Sequence, residues 1–242
     1  MKEERFFYNP NVETSNCLPE DETAHAVRVL RLKTDDKICV MDGNGSFYNA
    51  VITEISKKSC KYRVVSKEIH DKSWNAYLHI AVAPTKNIDR IEWFVEKAVE
   101  IGVDEISFIN TDFTERKRIN IDRIKKIALA AMKQSRKPFK TIINDLTDFN
   151  HFIASVKQNN KFICHCYGND NEVVLKDKHL LKDIVGKKDD VLVIVGPEGD
   201  FSIKEVVAAE KSGFIPVSLG KSRLRTETAA LVAVHIMNIF NS

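Results

Sequence analysis

This sequence of 242 residues has little net charge and no long hydrophobic run. No stretch of 18 or more residues is continuously apolar, which excludes an ordinary transmembrane helix. The opening segment MKEERFFYNP lacks the apolar core of a secretory signal, so we expect a cytoplasmic protein without a membrane partner. The hydrophobic content of 43% is sufficient for one large domain or for a small domain joined to a medium one.

Cysteine is scarce and unpatterned. Five cysteines, an odd number, occur without any CxxC spacing, which favours plain thiols over disulfides or a zinc site. The one cluster, Cys164-His165-Cys166, lacks a second ligand pair at a defined spacing. We therefore interpret it as the end of a strand with small apolar thiols, and we expect no metal.

The charge is nearly balanced, since 37 basic residues face 34 acidic ones for a net charge of +3. The basic residues are unevenly distributed, however, and they gather between positions 116 and 140, beginning with Arg116-Lys117-Arg118. A polyanion partner and a solvated helix face explain this clustering equally well.

Residues 1–70 are predicted to form a small β-barrel with one helix. Strand patterns occur at Lys37–Asp42, Ser46–Ile55 and Cys60–Glu68. Asp42-Gly43-Asn44-Gly45 predicts the hairpin turn between the first two, because Gly and Asn tolerate positive φ. The helix is expected over Asp21–Leu32. The polar segment 69–75 predicts a linker.

Residues 76–242 alternate between strand and helix patterns, which indicates an α/β domain with a mostly parallel sheet and helices on both faces. The predicted strands are Leu78–Ala83, Ile106–Ile109, Thr141–Ile143, Phe162–Cys166, Val191–Val195 and Ile215–Leu219. The predicted helices are Ile88–Ile101, closed by Gly102, then Ile121–Lys137, Phe149–Val156, Ile203–Lys211 and Ala229–Phe240.

In such a sheet a ligand binds beyond the carboxyl ends of the strands. Three loops are then of interest, those after Cys166, Val195 and Leu219. The second contains two glycines around a proline, a fixed turn whose backbone can approach a ligand. Ser202 and Glu205 after it predict a capping box. Neither a dinucleotide fingerprint nor a phosphate-binding loop is present.

The segments VGPEGDFS (195–202) and LGKSRLRTETA (219–229) together resemble the ribosomal RNA small subunit methyltransferase E family. Further segments that resemble this family occur in the family's order along nearly the whole chain: RFF near the start, HAVRVLR (25–31), EKAVEIGVDEI (96–106) and KQSRKPF (133–139). The family belongs to the knotted SPOUT methyltransferases.

The resemblance implies a PUA-like, RNA-contacting barrel at 1–70 and a trefoil-knotted methyltransferase domain at 76–242. It implies a homodimer that uses S-adenosylmethionine to methylate uridine N3 in 16S ribosomal RNA of the small subunit. The cofactor contacts it implies are His165, Val195, Gly196, Pro197, Glu198, Gly199, Leu219, Gly220, Leu224, Thr226 and Thr228.

Methylation of uridine N3 requires loss of the imide proton, and the resulting negative charge spreads onto O2 and O4. We expect Arg225 to stabilise this charge, with Arg223 sharing that role or binding phosphate. Glu227 either accepts the proton or orients Arg225 through a bidentate pair, and orientation is favoured because a carboxylate beside arginine is a weak base. Thr226 or Thr228 is expected to cap the last helix.

The RNA-binding candidates are Arg5, Arg28, Arg31 and Arg136, although a surface salt bridge explains the first three equally well. One position departs from the family pattern, since Asp200 stands where a second glycine is usual. If that position needs positive φ, Asp is among the less costly replacements, and cofactor affinity is the property it would affect first. Two other functions remain open: a SPOUT methyltransferase for another RNA target (tRNA or a ribose 2′-oxygen), and a non-catalytic RNA-binding assembly factor.

Overall fold

A computed structural model of the chain describes residues 4–167, 178–187 and 190–242. These residues divide into two compact units. The first contains 4–72 together with 129–140, and the second contains the described residues of 73–128 and 141–242. The sequence predicted a first domain of 1–70 and placed residues 129–140 in the second domain. In the structure these residues belong to the first unit.

The first unit is built on a four-stranded sheet in the order β1-β2-β3-β4. Its strands are β1 (Phe6–Tyr8), β2 (Lys37–Met41), β3 (Ser46–Ile55) and β4 (Cys60–Ile69). β1 runs parallel to β2, and the other two pairs are antiparallel. Segment 16–18 pairs with the outer side of β4, since Leu18 N–H donates to the carbonyl of Cys60 and Tyr62 N–H donates to the carbonyl of Asn16.

The predicted turn between β2 and β3 is confirmed. Asp42 Oδ1 accepts hydrogen bonds from the N–H groups of Asn44 and Ser46, and Gly43 and Gly45 have φ of 76° and 100°. The segment 138–140 binds this turn, since Gly45 N–H donates to the carbonyl of Pro138. This contact is one reason why 129–140 belongs to the first unit.

The predicted helix over Asp21–Leu32 is shorter and less regular than expected. It consists of α1 (Glu20–Ala24) followed by a π-helical stretch, His25–Val29, in which Leu30 N–H reaches back to the carbonyl of His25. Arg31 has φ of 51°, a left-handed conformation that ends the helix.

The second unit contains a seven-stranded sheet in the order β7-β6-β5-β10-β8-β11-β9, and every pair in it is parallel. The strands are β5 (Leu78–Val82), β6 (Glu105–Asn110), β7 (Ile142–Asp148), β8 (Asn160–Cys164), β9 (His179–Leu180), β10 (Val191–Val195) and β11 (Ile215–Ser218). The helices wholly in this unit are α2 (Ile88–Ile101), α4 (Phe149–Ser155), α5 (Leu181–Ile184), α6 (Ile203–Lys211) and α7 (Thr226–Asn241). Helix α3 (Ile121–Gln134) begins in it, and its residues from 129 onward belong to the first unit. The predicted α/β architecture is confirmed.

The central strand, β10, is buried at all five positions, as its unbroken apolar sequence indicates. On one face of the sheet, Leu192 and Ile194 pack in a core with Phe152 of α4 and Val206 of α6. On the other face α7 packs against β5, β10 and α2. No helix in the described part of the chain is long and apolar enough to cross a bilayer.

Two helix ends test the capping predictions. Gly102 closes α2 with φ of 121°, and a Cβ there would lie 2.4 Å from the ring of Trp74. The prediction for α7 was wrong, because the helix begins at Thr226 rather than Ala229. Arg225 occupies its N-cap position without a side-chain cap, so neither Thr226 nor Thr228 caps the helix.

Since the strands are parallel, the loops after β5, β6, β8, β10 and β11 all leave the sheet at its carboxyl edge. The fold thus brings together segments that lie far apart in the sequence.

Candidate functional site

A cavity of about 880 Å³ lies at the carboxyl edge of the second unit. The loops after β8, β10 and β11 form its wall together with the start of α7. Most of the predicted site residues are in this wall: His165, Val195, Gly196, Pro197, Glu198, Gly199, Leu219, Gly220, Arg223, Leu224, Arg225 and Thr226. The wall also contains residues that the sequence did not single out as ligand contacts: Cys164, Cys166, Lys178, Val217, Ser218, Lys221, Ser222 and Ala229.

Two of the predicted catalytic and cofactor residues are outside the wall. Thr228 is half-buried on α7, and Glu227 is buried with 7% of its surface exposed. Both lie within the first turn of α7, which the sequence predicted to begin only at Ala229.

The loop after β10 has the tight, close-packed form that its glycines predicted. A Cβ at Gly196 would lie 3.1 Å from the ring of Phe201, and one at Gly199 would lie 3.0 Å from Cβ of Phe113. The predicted capping box is confirmed, because Ser202 Oγ accepts from Glu205 N–H and Glu205 Oε2 accepts from Ser202 N–H. The start of α6 therefore holds this loop.

Asp200 has φ of 67°, so this position does require the left-handed conformation. Its carboxylate has two main-chain partners. Oδ2 accepts from Cys166 N–H at 2.7 Å and Oδ1 accepts from Phe201 N–H at 2.8 Å. The residue that departs from the family pattern thus links two loops of the cavity.

His165 is buried in the cavity wall, and neither of its ring nitrogens has a partner among the described residues. Burial and the nearby Lys178 lower the pKa of this imidazole to about 4, so the ring is neutral at pH 7. Lys178 donates to the carbonyl oxygens of His165 and Tyr167, which fixes the loop after β8. A buried ring with unpartnered nitrogens is able to hydrogen-bond a ligand.

Arg223 and Arg225 are exposed at the cavity, on the segment between β11 and α7. Within the residues that the structure describes, no hydrogen bond or ion pair engages either guanidinium. The Ser218 hydroxyl bonds with both the N–H and the carbonyl of Gly220, which stabilises the turn before them. The two cations are therefore available to an anionic ligand.

Glu227 does not pair with Arg225, which corrects the bidentate pair expected from the sequence. The cation beside it is Arg90 of α2, with Nε of Arg90 3.8 Å from Oε1 of Glu227. Oε2 of Glu227 has no hydrogen-bond partner among the described residues. Arg90 carried no recognisable pattern in the sequence, because its partner lies on another helix far along the chain.

The four predicted RNA-binding arginines lie in the first unit. Arg28 and Arg31 are exposed. Arg5 lies 3.9 Å from the carboxylate of Asp36, and the guanidinium of Arg136 stacks 4.9 Å from the ring centre of Phe6. Arg5 and Arg136 thus have partners within the protein, and Arg28 and Arg31 present more open charge.

The sequence matches two family models. Residues 72–238 match the RNA methyltransferase domain, and residues 18–65 match the RNA methyltransferase PUA domain. Among curated proteins, the chain is 30% identical to the ribosomal RNA small subunit methyltransferase E of Buchnera aphidicola from Acyrthosiphon pisum, over 88% of this chain and 84% of that protein. It is 28% identical to the protein of the same name from Rickettsia conorii, over 100% and 98%.

Solved structures show the same fold. A probable rRNA-methyltransferase from Porphyromonas gingivalis is 42% identical, with a TM-score of 0.88 and 98% of each chain covered. A ribosomal RNA small subunit methyltransferase E from Neisseria gonorrhoeae, solved bound to S-adenosyl methionine, is 24% identical with a TM-score of 0.85 and the same coverage.

Proposed function

Because the chain belongs to the ribosomal RNA small subunit methyltransferase E family, we propose that it transfers a methyl group from S-adenosylmethionine to N3 of a uridine in 16S ribosomal RNA. The observation that carries this proposal is the cavity at the carboxyl edge. Its wall contains two arginines that have no partner among the described residues, together with glycine-containing loops that a small ligand can approach closely.

The cavity suits S-adenosylmethionine in size and in chemistry. Its volume of about 880 Å³ lies within the range of roughly 300–1,000 Å³ for small-molecule sites. The unpartnered nitrogens of His165 offer hydrogen bonds, and the backbone at Gly196, Gly199 and Gly220 offers close contacts. The remaining residues that would hold the cofactor are Val195, Pro197, Glu198, Leu219, Leu224 and Thr226. When bound, the cofactor supplies an electrophilic methyl group, and no metal is needed.

Arg225 is assigned to the charge that develops on the uracil ring. A guanidinium that no described residue engages can be directed at O2 or O4, where it stabilises the anion as it forms. Arg223 shares this role or binds a phosphate of the RNA. Both remain proposals from position and chemistry.

Glu227 is assigned a positioning role rather than that of a base, since it does not line the cavity. The N3 proton is then released to solvent water, while Arg225 stabilises the uracil anion that attacks the methyl group. The contact of Glu227 with Arg90 holds the first turn of α7 against α2. That turn directly follows Arg225, so Glu227 acts on the arginine through the backbone.

The RNA substrate would also contact the first unit, through phosphate groups at Arg28 and Arg31 and with smaller contributions from Arg5 and Arg136.

We further propose a homodimer, since α7 and α2 expose Ile239 (59%) and Trp93 (44%) on neighbouring helices. The trefoil knot and a cytoplasmic location are part of the same proposal, because they follow from the family and from a ribosomal substrate.

The decisive experiment is methyl transfer from labelled S-adenosylmethionine to small ribosomal subunits that lack the modification, followed by digestion to nucleosides and mass spectrometry. Labelled N3-methyluridine is the expected product. Label on tRNA or on a ribose 2′-oxygen would keep the enzyme class and change the target. Cofactor binding without any transfer would favour an RNA-binding assembly factor.

A further inference from the structure

Phe113 is an exposed aromatic residue beside the cavity. Half of its surface is exposed, although large aromatic side chains are usually buried. It follows β6 at the carboxyl edge and packs on Gly199 of the cavity wall, where a Cβ would lie 3.0 Å from its own Cβ. The glycine thus makes room for an aromatic residue that the rest of the described second unit leaves half open.

The loop that carries Phe113 is held firmly. Thr111 N–H donates to Thr114 Oγ1, and the two hydroxyls lie 2.8 Å apart. Asp112 is bound on both sides, because its N–H donates to Glu205 Oε1 and its Oδ2 accepts from the Ser202 hydroxyl at 2.7 Å. These hydrogen bonds therefore fix the position of the Phe113 ring next to the loop after β10.

Four cations lie in the two loops at this edge, three of them within five residues of Phe113 in the sequence. Arg116 donates to the carbonyl oxygens of Thr85 and Lys86, which ties the loop after β5 to the loop after β6. Lys117 and Arg118 follow it and are exposed. Lys86 is exposed too, and it pairs with Glu115 at 3.0 Å. We call Lys86, Phe113, Arg116, Lys117 and Arg118 the Phe113 surface. Its four cations exceed by one the neighbouring carboxylates, which are Asp112, Glu115 and Glu198, the last bound to the N–H of Lys86.

We propose that the Phe113 surface binds an unpaired nucleotide next to the target uridine, with the base stacked on Phe113 and its phosphates near Lys117 and Arg118. This inference rests on the proposed function. N3 lies on the Watson–Crick edge of uracil, so the target must be unpaired to react, and its neighbours are then free to stack. A rigid exposed ring flanked by cations is the arrangement by which proteins hold single-stranded nucleic acid.

The test compares variants of the whole protein that differ in the ring alone. Phe113→Leu keeps an apolar cover on Gly199 and removes the aromatic face, whereas Phe113→Tyr keeps the face. Ile142→Ala is the matched control, because Ile142 is equally exposed at the amino end of β7, on the opposite edge of the sheet. The measurements are affinity for a short labelled single-stranded oligouridine RNA, affinity for S-adenosylmethionine, and molecular mass in solution.

Phe113→Leu should weaken RNA binding about tenfold, the loss typical of one stacked base, and leave cofactor affinity unchanged. Phe113→Tyr and Ile142→Ala should bind RNA like the wild type. Arg118→Ala should reduce the slope of log RNA affinity against log salt concentration by about one, which corresponds to one phosphate contact fewer.

Equal RNA affinity for Phe113→Leu and the wild type would overturn the inference, and so would a changed molecular mass, since the ring would then cover a protein contact. Failure of the wild type to methylate ribosomal RNA would instead overturn the proposed function. The two failures are thus distinguishable in one set of assays.

Discussion

The carboxylate of Asp200 accepts a 2.7 Å hydrogen bond from the main-chain N–H of Cys166, and it thereby joins the loop after β10 to the loop after β8. Both loops form the cavity wall. A glycine, the residue that the family resemblance implies at this position, has no side chain that could make this bond.

Three substitutions at Asp200 should therefore rank in a defined order. Asp200→Ala should destabilise the protein by about 2 kcal/mol, since it loses the hydrogen bonds and strains the left-handed backbone. Asp200→Gly should cost about 1 kcal/mol, because only the hydrogen bonds are lost. Asp200→Asn should cost least, because its amide oxygen still accepts a bond. Urea unfolding measures the order, and a glycine variant as stable as the wild type would contradict it.

Arg225 should act in the reaction and not in cofactor binding. Arg225→Ala should lower kcat by about 10²–10³-fold, the loss expected when one donor to a developing anion is removed. Calorimetry should find the affinity for S-adenosylmethionine unchanged. Arg225→Lys should recover part of the rate by restoring the charge without the planar fork, and Arg223→Ala should raise the KM for RNA more than it lowers kcat. An unchanged kcat in Arg225→Ala would remove the assigned role.

Arg90 and Glu227 should be energetically coupled. Arg90→Met should destabilise the protein by about 2 kcal/mol, because a buried carboxylate loses the cation that lies 3.8 Å from it. Glu227→Gln removes the charge, so Arg90→Met should cost less in that background, with a coupling of at least about 0.5 kcal/mol. A double-mutant cycle in denaturant measures this value. Strict additivity would show that the 3.8 Å contact contributes nothing.

Two buried histidines should make the protein sensitive to acid. Burial lowers the pKa of both His79 and His165 to about 4, against about 6.5 in the unfolded chain. The unfolded state therefore binds more protons between these values, and stability present above pH 6.5 is lost as the pH falls towards 4. Each histidine contributes at most about 1.4 kcal/mol per pH unit to the slope. Unfolding of His165→Gln at several pH values should show a shallower slope, and an identical slope would contradict the assignment.

Ile239 should lie in the contact between two copies of the chain. Ile239→Glu places a charge on the exposed side of α7, where an apolar interface would have to desolvate it. Light scattering should then report half the wild-type mass, with the thermal unfolding of the remaining monomer still cooperative. A wild-type mass equal to one chain would end the homodimer proposal before the variant is made.

Local features were predictable from the sequence, and distant partners were not. The Ser202–Glu205 capping box and the Gly102 helix end depend on residues within one or two turns, and both were found as predicted. The start of α7 was misjudged because Thr226, Glu227 and Thr228 interrupt the apolar pattern by which the helix was recognised.

The loops that form the cavity were predicted from the sequence, but the residues that pack against them or pair with them were not. Two family segments named most of the cavity wall, since each is continuous in sequence. Arg90, which pairs with Glu227, and Phe113, which packs on Gly199, belong to other segments of the chain. Pairings of this kind depend on the strand order of the sheet. The hydrophobic periodicity of the sequence does not predict that order.

The position of β10 has a consequence for how fast the protein folds. This strand completes the centre of the sheet beside β5, and the bond from Tyr77 N–H to Asp190 Oδ1 at the start of both strands joins residues 113 positions apart. During synthesis β5 emerges long before β10, so the edge of β5 that pairs with β10 stays unpaired until then. Such distant parallel pairing is slow, and it exposes the unfinished edge to other chains in the meantime. We therefore expect refolding over seconds or longer, with a yield that falls as protein concentration rises.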